Sequence, residues 1–137
     1  MPSSTNEPGN RHGTTLAIVA ESLYLANLLL IPGIAFIALL VMYRRYRDTP
    51  PPLAFSHIQQ TLSASLWAGA LLIIANAAII LLGGYDGPYT WAVAITYFTM
   101  AHSTLILFGM IGLARALAGQ CWRYPLIGRP LPENCPK

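Results

Sequence analysis

QTLSASLWAGALLIIANAAIILL at residues 60–82, GGYDGPYT at 83–90 and WAVAITYFTMAHSTLILFGMIGLARALA at 91–118 read as two long apolar segments joined by a tight turn. The first carries no charge, and the second carries only Arg115. About 20 consecutive apolar residues suffice to cross a bilayer as a helix. The connector combines Gly83, Gly84, Asp86, Gly87 and Pro88, residues that favour turns and interrupt helices. The pair therefore predicts a helical hairpin in a membrane.

The rest of the chain agrees in composition. Its 137 residues include eight Lys or Arg and five Asp or Glu, so 9% are charged, 55% are hydrophobic and the mean hydropathy is +0.52. Soluble domains run at about 25% charged. A disordered chain is excluded by the same numbers. A further apolar stretch covers residues 15–43, interrupted by Pro32-Gly33 near its centre. Proline removes a backbone donor and kinks a helix, and a bundle tolerates such a kink. The expectation is an all-α integral membrane bundle of three transmembrane helices, with spans at about 15–43, 60–82 and 91–118. A polar outer tail at 1–14 precedes this domain of 15–118, and a proline-rich cytoplasmic tail at 119–137 follows it.

Charge sets the expected orientation, because Lys and Arg collect on the cytoplasmic side. Arg44, Arg45, Arg47, Arg115, Arg123, Arg129 and Lys137 fall on one side of the three-span scheme, and Arg11 alone falls on the other. That places the N-terminus outside and the C-terminus in the cytoplasm, in a multi-pass protein of the bacterial inner membrane. Cys121 and Cys135 then face a reducing compartment and are expected as thiols, with palmitoylation of Cys121 as the alternative.

Polar groups within the spans are the candidate functional residues. At about 1.5 Å per residue, Glu21, Asn76 and Thr96 are expected in one outer layer, and Asn27 and His102 in a second near the midplane. Glu21 is the only acid within a span. It reads either as a proton or cation site or as a hydrogen-bonded carboxyl near the interface. His102 reads either as a pigment or haem ligand or as a neutral hydrogen bond between helices. His57 is expected at the cytoplasmic end of the second span, roughly 20 Å in depth from His102, so the two cannot share a haem within one chain. No Cys/His/Asp/Glu spacing of a metal site is present. No phosphate loop, nucleophile triad or nucleic-acid-binding stripe is present either. No cofactor and no enzymatic activity are expected. The expected partners are the lipid bilayer and other membrane proteins.

Three landmarks remain. Ile31-Pro32-Gly33 interrupts the first span, His57-Ile58-Gln59-Gln60 opens the second, and Gly119-Gln120-Cys121-Trp122-Arg123-Tyr124-Pro125 follows the third. In this order they resemble the small Tic20-like membrane proteins and their bacterial relatives over about residues 20–128. The resemblance implies a transport or translocation component. It also marks His57, Gln60, Trp122, Arg123, Tyr124 and Pro125 as an interface motif. Read without it, the sparse chemistry and small-residue helix faces favour a non-enzymatic accessory or assembly subunit of a larger membrane complex, acting through helix packing and tail docking. A redox- or quinone-associated subunit, resting on His102, Trp67 and the aromatics, is the third possibility.

Overall fold

The computed structural model describes residues 8–49 and 51–137, and these are all helical or irregular, with no strand among them. α1 runs Pro8–Leu29, α2 Ile34–Tyr46 and α3 Pro52–Leu81. α4, Thr90–Thr96, passes through a π-helical turn, Tyr97–His102, into α5, Ser103–Leu117, so that these three form one rod. Residues 1–7 of the expected polar tail and Pro50 of the proline triplet lie outside the described residues. Residues 8–14 belong to α1 rather than to a tail.

The expected single span at 15–43 is corrected: the chain reverses at Pro32-Gly33 instead of kinking there. Gly33 sits at φ +86°, a conformation that glycine alone adopts readily. The Asn27 side-chain carbonyl accepts its N–H at 3.0 Å, and Leu30 and Ile31 both donate to the Ala26 carbonyl. α1 and α2 therefore fold into an antiparallel hairpin. Its open end is visible in the edge-to-face contact of His12 with Tyr46, at 6.2 Å between ring centroids.

This reversal also corrects the expected placement of the N-terminal segment opposite the C-terminal tail. The start of α1 lies at the same end of the bundle as the 44–56 connector and the tail. Arg11 joins the other basic residues there, so all eight Lys and Arg crowd one end.

α3 begins earlier than expected. Pro51 is extended and Pro52 occupies the first turn, where its missing N–H costs nothing. Its N-terminal half packs against both α1 and α2, and its buried residues run from Leu53 to Ala68, with Ile79 beyond. The core holds Leu16, Ala20, Tyr24, Leu39, Met42, Ile58 and Tyr124. Beyond Ala68 the helix emerges from the hairpin's cover, and Ile73, Ile74 and Leu81 are 71%, 60% and 85% exposed.

α3 and the 90–117 rod are 30 and 28 residues long and apolar enough to cross a membrane, and less than a quarter of the 18-residue apolar stretch within each is buried inside the chain. At about 1.5 Å per residue both exceed the roughly 30 Å hydrocarbon thickness. A soluble core helix of that length would be mostly covered by its own protein.

If the hairpin is correct, single cysteines at Asn10 and Lys137, in a Cys121→Ser, Cys135→Ser background, will react with an impermeant maleimide from the same side of sealed vesicles. Labelling from opposite sides would restore the single span.

Candidate functional site

Two places in the fold gather polar side chains. The first is buried where α1, α3, α5 and the tail meet. Glu21 and His57 are fully buried, with His57 Nδ1 2.6 Å from Glu21 Oε1. His57 Nε2 lies 2.9 Å from the Gln120 carbonyl. A carbonyl only accepts, so Nε2 carries a proton. The remaining proton of the pair lies between Nδ1 and the carboxyl. Its two positions give either a carboxylate–imidazolium pair or a carboxylic acid–imidazole pair, and both have zero net charge.

The Tyr124 hydroxyl donates to Glu21 Oε2. Burial, followed by the nearby Glu21 carboxyl, raises the Tyr124 phenol above its ordinary range, so it keeps its proton and acts as a donor. Tyr24 packs edge to face on Tyr124 and donates to the Leu105 carbonyl at 3.0 Å.

The carboxyl rests directly on the backbone of α5. A Cβ at Gly112 would come within 2.6 Å of Glu21 carboxyl atoms, and one at Gly109 within 2.8 Å of the Tyr24 ring. The Gly109-Met110-Ile111-Gly112 face is thus spent on packing inside the chain.

The tail is not a free docking arm, which corrects that part of the expected mode of action. It folds back as a strap across the basic end. Gln60 clamps the backbone of Arg129, donating to its carbonyl at 2.7 Å and accepting from its N–H at 3.0 Å. Ser63 donates to the Ile127 carbonyl. Arg115 lies over the Trp122 ring and donates to the Gln120 side chain at 2.7 Å. Arg123 Nε reaches the Gly128 carbonyl at 3.3 Å. Pro125 accepts from the Ile127 N–H within the turn that follows Tyr124.

The expectation of free thiols is also corrected: Cys121 and Cys135 form a disulfide, with Cα atoms 5.9 Å apart. Closing a loop of this length is worth about 3 kcal/mol. The expectation of thiols rests on a cytoplasmic placement of the tail, whereas the folded strap brings the two sulfurs into a bond.

Of the sequence candidates, the structure unites Glu21, His57 and Tyr124, and ties Gln60, Trp122, Arg123 and Pro125 into the strap beside them. It separates Glu21 from Asn76 and Thr96, because the hairpin carries Glu21 toward the basic end. Asn76 instead donates to the Leu72 carbonyl and accepts from the Tyr85 hydroxyl at 2.7 Å, at the other end of α3. Gln120, Gly112 and the cysteine pair were not singled out as site residues. His57 and Glu21, the partners of Gln120 and Gly112, lie far away in sequence, and no local pattern marks any of these residues.

Asn27 and His102 do come together, in the second place. They line a cavity of about 660 Å³ where the hairpin tip meets α3 and the π-helical turn.

The fold and these sites define a small helical membrane protein with its polar chemistry sealed inside. A family model described as the magnetosome magnetite crystal formation protein family matches residues 12–131. The chain belongs to that family. No curated protein and no solved structure matches it. The match overturns the Tic20-like resemblance. Its landmarks turn out to be a helix reversal, a core histidine pair and a strap, which are general packing devices and do not by themselves assign a family.

The cluster predicts a graded response to substitution. Glu21→Gln keeps an acceptor for Tyr124 and a donor for neutral His57, and is expected to stay within about 1 kcal/mol of wild type. Glu21→Leu strands both partners and is expected to cost about 3 kcal/mol or more. Thermal unfolding in mild detergent reads the difference. Gly112→Val is expected to destabilise at least as much as Glu21→Leu, since its side chain has no space beside the carboxyl.

Proposed function

We propose that this chain is a non-enzymatic accessory protein of the magnetosome membrane that takes part in magnetite crystal formation. The family match over residues 12–131 carries this reading. Three features of the fold support it. α3 and the 90–117 rod offer two apolar membrane anchors. The strongest constellation, around Glu21 and His57, is closed to solvent and suits holding helices together rather than turning over a substrate. The helix faces beyond Ala68 remain apolar and uncovered, available to lipid or to neighbouring membrane proteins.

In this reading the two long helices cross the bilayer and the α1–α2 hairpin enters it only part of the way. The hairpin tip is apolar, with Leu30 and Ile34 exposed at 77% and 68%. Non-helical backbone at membrane depth needs internal partners, and the Asn27 side chain supplies one to Gly33. The eight basic residues and the disulfide share one membrane face, where anionic headgroups attract the basic groups. The helical frame and its strap then hold a fixed shape in the membrane that encloses the growing crystal.

Deletion of the gene in a magnetite-forming bacterium tests the proposal by electron microscopy of the crystals. Altered crystal size or shape, restored by the wild-type chain and not by a Gly112→Val chain, is the expected result. Crystals unchanged in number, size and shape would overturn it.

A further inference from the structure

The carboxyl and imidazole of the Glu21 cluster have their partners, but the central cavity is not satisfied. Its wall contains Ser65, which is 5% exposed and whose hydroxyl has no hydrogen-bond partner. A helical serine ordinarily bonds back to the preceding turn, and a buried polar group left unpaired is costly. Three further polar side chains line the same space, Asn27, His102 and the hydroxyl-bearing Tyr97. Asn27 spends its carbonyl on the Gly33 N–H, which leaves its NH₂ as a free donor. His102 supplies an imidazole N–H.

His102 is presented by the π-helical turn, and the turn is what aligns it. In an α-helix, residues five apart point about 140° from each other at 3.6 residues per turn. The wider π turn, with its i→i+5 repeat, brings Tyr97 and His102 to one side, with ring centroids 6.2 Å apart. Phe98 sits edge to face on His102 at 5.3 Å. Phe36 lines the cavity from α2.

We infer that this cavity binds the head of a lipid quinone. The chemistry of the wall selects that class. The lining holds no Lys, Arg, Asp or Glu, so it offers nothing to a phosphate or carboxylate head. Each of its unspent polar groups can donate: the Ser65 and Tyr97 hydroxyls, an imidazole N–H and an amide NH₂. They call for a neutral ligand with carbonyl acceptors. The aromatic rings of Phe36, Tyr97 and Phe98 suit a flat conjugated ring.

The volume of about 660 Å³ falls within the usual range of small-molecule sites. Ser65 lies near the middle of α3, about 20 Å along it from its start, within the apolar segment. The proposal concerns binding alone and is independent of the role in crystal formation.

The test uses the purified full chain in nanodiscs, titrated with decylubiquinone while tryptophan fluorescence is followed. Saturable quenching with one site per chain is expected. Ser65→Ala and His102→Leu should each weaken binding about tenfold. Gly69→Leu should abolish it. Gly69 lines the cavity, and a Cβ there meets nothing within 4 Å, so the larger side chain fills the space without disturbing the fold. Asn76→Ala, outside the cavity, should bind as wild type. Decylbenzene, which has the tail and a ring but no carbonyl, should compete at least tenfold more weakly. Linear, non-saturating partition in the wild type would overturn the proposal. So would Gly69→Leu binding as tightly as wild type, or decylbenzene competing equally well. The Gly69→Leu and decylbenzene measurements keep the test decisive even if Ser65→Ala fails to fold.

Discussion

A carboxyl with no solvent exposure has to find its partners inside the protein, and Glu21 finds them on three other segments at once. His57 comes from α3, Tyr124 from the strap, and the bare backbone at Gly112 from α5. Each partner is fixed by a different part of the chain. α1 cannot slide along α3 without breaking the imidazole contact, nor approach α5 differently without meeting a Cβ. The strap cannot lift without leaving the carboxyl short of a donor. Because the shared proton keeps the pair neutral in either position, the bundle accommodates the group without an uncompensated charge.

The strap follows from this arrangement. With Tyr124 drawn inward, the chain on either side of it is held by Gln60 and Ser63, and the disulfide closes the loop. The polar end of the molecule is thereby rigid and basic. The opposite half of α3 and the 90–117 rod remain slender and apolar. This asymmetry divides the molecule: one half is suited to lying among lipids, the other to presenting a charged face. At the boundary between the halves, the hairpin tip ends and the central cavity begins.

Much of this could be read from the residues, and the misreadings share one cause. Pro32-Gly33 was rightly marked as a break, but proline and glycine disturb a helix whether the chain bends or reverses. The choice between them rests on Gly33 at φ +86° and on the Asn27 cap. Reading a reversal as a bend displaces everything measured from it. Arg11 was assigned to the wrong side, and Glu21 was grouped with Asn76 and Thr96 instead of with His57. Asn27 and His102, by contrast, were expected at a common depth and share one cavity. They lie close to the hairpin tip, where depth counted along α1 differs least between the two topologies. The short motif after α5 suggests the wrong family, because such a motif describes how a helix ends and not what the protein does.

Composition and hydropathy alone determined an all-helical protein with long apolar segments, of which two, α3 and the 90–117 rod, are membrane-length helices. They also determined a concentration of basic charge and a scarcity of buried chemistry. These are properties of side chains counted along the chain, and partitioning between lipid and water acts on them directly. Only the tertiary structure decided that α1 and α2 are a hairpin, that Glu21 pairs with His57 and Tyr124, that Cys121 meets Cys135, and that Ser65 is left unpaired in a cavity. Those outcomes depend on contacts between residues far apart in sequence, and a single backbone angle at Gly33 selects which of those contacts can form.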